Sequence, residues 1–348
     1  MLITCNMTHR WCDEYSHTLQ GAFYGGSGFA AALLSQDVSV GQLKKMTIKN
    51  ETMLQTIPLL ELPGKILGER GSLRFLESAQ CDPGWLRTHV LTGRYGKPFI
   101  IEDGQTRRLH FSLSAIQSSM RINDPFVLDI AYTRKMMAFL LFVSDPRHVL
   151  MVGLGGGSLA KFCHRHLPHT RLTVVEVNPD VIALRGEFSI PADERLVIIR
   201  ADAADYLPAT EGDTDVLLLD GFDAAGIAPT FLKRDFYQAA RRRLRPAGIL
   251  VANFAGPLKC WYRHFELLNE VFEGRVHVGP VSADDNHIAF AFADVGYPLD
   301  WERLKERASV LACQFPLDFP SLVNRLRDGA ELRRTLSILP RWSISSRK

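Results

Sequence analysis

The stretch that decides the fold is HVLMVGLGGGSLAKF, His148 to Phe162. An apolar run leads into a cluster of glycines, and the cluster leads into residues with helical spacing. This order predicts a strand, a tight loop and the start of a helix. Glycine lets a ligand contact the main chain, and a helix start offers unpaired N–H groups. We expect Gly153, Gly155, Gly156 and Gly157 to lie at a ligand site, with a tight turn that binds nothing as the alternative.

The segments around this stretch alternate between strand and helix patterns. Residues 216–219, Val-Leu-Leu-Leu, are apolar at every position, as expected for a strand that is covered on both faces. The alternation predicts an α/β fold with a doubly wound, mostly parallel, Rossmann-like sheet. The last two strands, which the residues ADD join, are expected to be antiparallel.

A small β-meander is predicted ahead of this sheet. The segments THVLTG, KPFIIED and RRLHFSLSAIQSSM read as short strands with turn residues between them. Asp124 and Pro125 then predict the start of a helix. The predicted domains are an N-terminal extension (1–87), the β-meander (88–122), a Rossmann-like nucleoside-binding catalytic domain (123–297) and a C-terminal helical tail (298–348).

Acidic residues stand at the ends of the second, third and fourth predicted strands of the main sheet. They are Glu176, Asp202 and Asp220, and Asp223 follows closely. An acid about twenty residues after the glycine loop can accept hydrogen bonds from ribose hydroxyls. Several acids at one sheet edge favour an adenosine ligand with a cationic centre, such as a sulfonium. Any one of them, Asp202 for example, could instead cap a helix.

The segments VLMVGLGGGSLAKF, VVEVNPDVI, IRADAADYL and DVLLLDGFD resemble the spermidine synthases, the polyamine aminopropyltransferases, especially their bacterial relatives. The resemblance spans about Gly96 to Asp294 and implies a sheet of the class I methyltransferase type. It implies aminopropyl transfer from decarboxylated S-adenosylmethionine to a diamine, with no prosthetic group. The implied roles are a catalytic acid at Asp220, cofactor contacts at Gln117, Gly153, Gly155, Glu176, Asp202 and Ala203, and amine-substrate contacts at Asp223 and Tyr132.

The sequence also departs from the family pattern. Gly156 stands where the family loop usually has an aspartate that binds the amine of the transferred group, and Thr133 and Arg134 follow Tyr132 where a glutamate is expected. Two alternatives therefore stay open. One is an S-adenosylmethionine-dependent methyltransferase on the same fold, and the other is a non-catalytic nucleoside-binding protein. Fold analogy alone does not choose among them.

Composition sets further bounds on the 348-residue chain. A formal charge of +3 gives no argument for nucleic-acid or membrane binding. No apolar run reaches the length of a membrane span, and the N-terminus lacks a secretion signal. The six cysteines are scattered, which favours idle thiols in a cytoplasmic protein and no metal site. The resemblance further implies a homo-oligomer, a dimer or a tetramer.

Overall fold

A computed structural model describes residues 58–209, 211–223, 226–227, 229–280, 286–294 and 299–338. The chain forms a small antiparallel sheet followed by a large, mostly parallel sheet with helices on both faces. The predicted α/β fold with a preceding antiparallel sheet is confirmed. The first fifty-seven residues of the predicted N-terminal extension lie outside the described residues.

The small sheet has five strands in sequential order, each antiparallel to the next. Alternate side chains on one face, such as Leu73 and Phe75, are buried because they pack against Phe99 and Leu86. The strands are β1 (Leu60–Pro63), β2 (Ser72–Phe75), β3 (Phe99–Glu102), β4 (Thr106–Ser112) and β5 (Ala115–Arg121).

Two sequence-based boundaries in this region are wrong. The small sheet begins at Leu60 rather than near residue 88, and THVLTG lies at the end of helix α1 (Pro83–Leu91) instead of forming a strand. The Asp82 side chain accepts hydrogen bonds from the N–H groups of Gly84 and Trp85, and this cap starts the helix. A cap followed by proline outweighed the β-branched residues of the segment.

The large sheet has the strand order β13-β14-β12-β9-β6-β7-β8. Strands β12, β9, β6, β7 and β8 are parallel neighbours, whereas β14 pairs antiparallel with both β12 and β13. The predicted antiparallel closing pair is therefore confirmed. The strands are β6 (His148–Val152), β7 (Arg171–Glu176), β8 (Leu196–Arg200), β9 (Thr214–Leu219), β12 (Leu244–Phe254), β13 (Val276–Pro280) and β14 (His287–Phe292), and a two-stranded ribbon, β10 (Phe222–Asp223) with β11 (Gly226–Ile227), follows β9.

Helices cover both faces of the large sheet and bury its apolar strands. Alternate residues of β6 point into two separate cores, with Val149 and Met151 in one and Leu150 and Val152 in the other. The helices are α2 (Ala131–Met136), α3 (Ser158–His166), α4 (Pro179–Ala183), α5 (Ala203–Tyr206), α6 (Arg234–Arg243), α7 (Leu258–Val271), α8 (Trp301–Gln314) and α9 (Phe319–Ile338).

The helix that Asp124 and Pro125 predict begins later in the structure. Helix α2 begins at Ala131 and continues as a 3-10 helix from Met137 to Leu141. Residues 137–141 are almost completely buried. Burial of these side chains, rather than a polar cap, therefore determines where this helix lies. The Asp-Pro pair at 124–125 carries no information about that burial.

A short segment after α4 joins the two sheets. Glu187 accepts a hydrogen bond of 2.6 Å from Arg74 of the small sheet, and its carbonyl accepts one from Arg107. The carbonyl of the next residue, Phe188, accepts a bond of 2.8 Å from the buried Lys161 ammonium of α3. Burial lowers the pKa of Lys161 to about 8. The segment is thus held by cations from both sides of the junction.

The cysteines differ in their bonding. Cys81, Cys163 and Cys313 are free thiols, whereas Cys260 is disulfide-bonded, so the interpretation of idle thiols is wrong for Cys260. Within the ranges given above, no cluster of His, Cys, Asp and Glu side chains could hold a metal ion. Nor does any helix in those ranges combine the length and apolar character needed to cross a membrane.

The Phe188 ring is expected to contribute strongly to stability. It is 1% exposed and belongs to the main core. Phe188→Ala should lower the free energy of unfolding by about 3–5 kcal/mol, because it removes a large apolar contact and leaves a cavity. Urea denaturation measures the change. Val310→Ala, at a side chain 58% exposed, is the control and should stay within about 0.5 kcal/mol of the parent; equal effects of the two substitutions would contradict the assignment.

Candidate nucleoside and catalytic site

A cavity of about 210 Å³ lies where the carboxyl ends of β6, β7 and β9 meet the small sheet. Open parallel sheets bind ligands at this edge. Of the predicted site residues, the structure brings six together in the cavity wall. These are Gln117, Tyr132, Gly153, Gly155, Glu176 and Asp220.

The glycine loop connects β6 to α3, and its first glycine lies against the end of β9. An added Cβ at Gly153 would lie 2.3 Å from the Asp220 carbonyl oxygen, and the φ angle of Gly153 is +94°. A residue with a side chain would therefore be both strained and obstructed at this position. The glycine brings the loop backbone and the Asp220 backbone into direct contact.

Glu176, the last residue of β7, holds the same loop from the other side. One of its carboxylate oxygens accepts a bond of 2.8 Å from the Leu154 N–H, and the other accepts one of 2.8 Å from the Asn178 N–H. Burial raises the pKa of this carboxyl, and the backbone N–H bonds oppose that rise. Each oxygen has a further lone-pair site, so the group can also accept hydrogen bonds from ligand hydroxyls.

Asp220 follows β9 and is held by two donors. The Tyr132 hydroxyl donates to one carboxylate oxygen at 3.0 Å, and the Asn253 amide donates to the other at 2.9 Å. The Asn286 amide in turn donates to the Asn253 side-chain oxygen at 3.1 Å. Burial raises the pKa of Asp220, and the two donated bonds partly offset that rise. A carboxylate with a raised pKa is a stronger base than usual.

Asn253 is a site residue that the sequence did not suggest. It is the penultimate residue of β12, the strand parallel to β9, and is 5% exposed. Its signal was available in principle, because a polar residue ends a run of apolar residues at the strand end. The prediction named only the acids at the neighbouring strand ends.

Of the remaining three predicted residues, Asp202 and Ala203 do not belong to the cavity wall. The Asp202 side chain accepts a bond from the Ala204 N–H and caps α5, whose first residue is Ala203. The cap uses one carboxylate oxygen, so the other can still accept a bond from a ligand. Asp223 is the last residue of β10. The ligand contacts assigned to these three residues stay predictions.

Comparison with known proteins gives a consistent result. A family model described as "Spermine/spermidine synthase domain" matches residues 129–275. The chain is 40% identical to a polyamine aminopropyltransferase of Chromobacterium violaceum, over 66% of this chain and 88% of that protein. It is 38% identical to the protein of that name from Neisseria meningitidis, with the same shares covered. A crystal structure of a spermidine synthase with the transition state analogue AdoDATO has the same fold, with 19% identity, a TM-score of 0.54, and coverage of 70% of this chain and 85% of that one.

The raised pKa of Asp220 has a consequence for stability. The folded protein binds the Asp220 proton more tightly than the unfolded chain does, so the wild type loses stability as the pH rises above about 4, the ordinary aspartate value, towards the raised pKa. Asparagine does not titrate. The free energy of unfolding of Asp220→Asn minus that of the wild type should therefore increase as the pH rises above about 4. Urea denaturation at several pH values measures this difference, and a constant or falling difference would contradict it.

Proposed function

This chain belongs to the spermine/spermidine synthase family, and we propose that it transfers an aminopropyl group from decarboxylated S-adenosylmethionine to a small amine acceptor. The observation that carries the proposal is one cavity that contains both a glycine loop braced by Glu176 and the carboxylate of Asp220. The first element suits a nucleoside, and the second suits an amine nucleophile.

The nucleoside half of the site is proposed to use the loop and Glu176. Gly153 and Gly155 would let the ligand approach the backbone closely, Glu176 would accept bonds from the ribose hydroxyls, and Gln117 would contact the nucleoside end from the small sheet. Asp202 and Ala203 would flank the adenine. A spermidine synthase with this fold forms a complex with the transition state analogue AdoDATO, which supports a related donor as the ligand of this chain.

The amine half of the site is proposed to centre on Asp220. A protonated amine has no lone pair, so the carboxylate would first orient the acceptor and take its proton. The freed lone pair attacks the methylene carbon beside the sulfonium, the carbon–sulfur bond breaks, and its electron pair stays on sulfur as methylthioadenosine leaves. Proximity and alignment of the two reactants supply much of the acceleration.

Tyr132 and Asn253 are proposed to orient Asp220 for this step. Each donates a hydrogen bond to a different carboxylate oxygen, which fixes the plane of the carboxylate while lone pairs remain for the amine. Tyr132 and Asp223 are also proposed to contact the amine substrate, as the family resemblance implies. Two positive charges on a diamine would favour a second carboxylate near the first.

The relatives also bear on the alternatives. A methyltransferase would share the fold, but the relatives at 40% and 38% identity carry the name polyamine aminopropyltransferase and support aminopropyl transfer. The buried Asp220 with its two donors supports catalysis over simple nucleoside binding. A cytoplasmic homo-oligomer that binds neither nucleic acid nor membrane completes the proposal; the formal charge of only +3 agrees with it.

Asp220→Asn tests the proposed base. The substitution keeps the size of the side chain and removes its ability to accept a proton. Turnover of putrescine with decarboxylated S-adenosylmethionine should fall by roughly 10²–10⁴, the usual contribution of general acid–base catalysis. Methylthioadenosine affinity, measured by calorimetry, should stay nearly unchanged. Turnover close to that of the wild type would remove Asp220 from the mechanism.

Glu176→Gln tests the nucleoside half. Both carboxylate oxygens accept backbone N–H bonds. The NH2 group of the glutamine would therefore face a backbone N–H, and that hydrogen bond would be lost. Methylthioadenosine should bind at least about tenfold more weakly, which corresponds to about 1.4 kcal/mol. Asp193→Asn is the control, because Asp193 pairs with His164 outside the cavity. Equal affinity in the Glu176 variant and the wild type would contradict the ribose assignment.

A further inference from the structure

We propose that Ser118 and Ser158 form an uncharged receptor for the end of the donor's side chain. The cavity would then hold sulfonium nucleosides with and without a carboxylate on that chain, and intact S-adenosylmethionine would be a ligand as well as its decarboxylated form. This inference rests on the proposed function, because it concerns the same nucleoside site.

The two serines come from a strand and a helix that meet at the cavity wall. Ser118 belongs to β5 of the small sheet, Ser158 is the first residue of α3, and both line the cavity. Their hydroxyl oxygens are 3.3 Å apart, and Ser118 is only 6% exposed. The pair is therefore an ordered part of the wall.

The glycine loop explains why a hydroxyl occupies this place. An added Cβ at Gly156 would lie 2.7 Å from the Ser118 Oγ and 2.8 Å from the Phe188 ring. Because a real side chain cannot approach so closely, the loop can offer no side chain of its own from position 156. The Ser118 hydroxyl fills the space into which such a side chain would project, so it is the polar group available there.

The charged side chains of the wall belong to two other residues. Among the wall residues in the described part of the chain, the acids are Glu176 and Asp220. The oxygens of Glu176 brace the loop, and those of Asp220 are held by Tyr132 and Asn253. Close to the serines lies the first turn of α3, where backbone N–H groups lack helical partners and favour negative charge.

An uncharged hydroxyl pair of this kind does not select by charge. The Ser158 hydroxyl also donates a long bond of 3.5 Å to the Ser119 carbonyl, so a ligand carboxylate would have to replace that bond or the bond between the two hydroxyls, whereas either hydroxyl oxygen can accept from an ammonium. A carboxylate on the donor's chain is therefore met by hydroxyl donors and by the partial positive charge of the α3 start, and an ammonium is met by hydroxyl lone pairs. Discrimination between the two donors should consequently be small.

The experiment compares two unreactive ligands, S-adenosylhomocysteine and its decarboxylated form, by calorimetry on the full chain. The wild type should bind them with affinities within about tenfold of each other. Ser118→Asp adds a carboxylate at the receptor and should raise the preference for the decarboxylated ligand at least tenfold. Ser118→Asn adds similar bulk without charge, so it should leave the ratio within about threefold of that of the wild type.

Each result decides the matter. A wild-type preference above tenfold for the decarboxylated ligand, or an unchanged ratio in Ser118→Asp, would overturn the inference. If Ser118→Asp does not fold, Ser158→Asp takes its place, since an acid is tolerated in the first turn of a helix, and the same shift is expected. Failure of the wild type to bind either ligand or methylthioadenosine would instead refute the proposed nucleoside site, and the inference would fall with it.

Discussion

Close contact between two backbones, at Gly153 and at Asp220, is the constraint on which the site depends. Strands β6 and β9 are parallel neighbours, and the loop after β6 turns directly over the end of β9. Only glycine fits, because a Cβ would lie 2.3 Å from the Asp220 carbonyl oxygen. The loop that would hold a nucleoside and the acid that would take a proton are therefore fixed relative to each other by main-chain contact. This contact fixes the two backbones, and the Tyr132 and Asn253 side chains then orient the Asp220 carboxylate.

The other glycines of the loop serve different neighbours. Gly155 lines the cavity, whereas Gly156 faces Ser118 and Phe188, and a Cβ at Gly157 would lie 2.5 Å from the Ile190 side chain. Gly156 and Gly157 therefore make room for the protein's own side chains instead of a ligand, and two of these side chains, Phe188 and Ile190, belong to the segment after α4. The segment after α4 is itself held to the small sheet by the ion pairs of Glu187 with Arg74 and Arg107. Packing and ligand binding thus both require small residues in this loop.

The parts of the structure that could be predicted are those determined by residues close together in the sequence. The apolar strands and the glycine loop around residues 148–162 identified the main sheet, and its edge brought together Glu176 and Asp220 as the spacing suggested. The errors arose where distant packing decides. The helix that was expected at Asp124 begins at Ala131 because burial of residues 137–141 fixes it. Similarly, no local pattern could reveal that the Ser118 hydroxyl of the small sheet lies where a Cβ at Gly156 would come within 2.7 Å of it.

The joint between the sheets has a consequence for how this enzyme family can change. One wall of the cavity, with Gln117 and Ser118, belongs to the small sheet, while the glycine loop and both acids belong to the large one. A substitution in β5 therefore changes one wall of the cavity and leaves the strands that end at Glu176 and Asp220 in place. The two walls are joined by the ion pairs of Glu187 with Arg74 and Arg107. As long as these ion pairs hold the sheets together, each wall can accept substitutions without a change in the other.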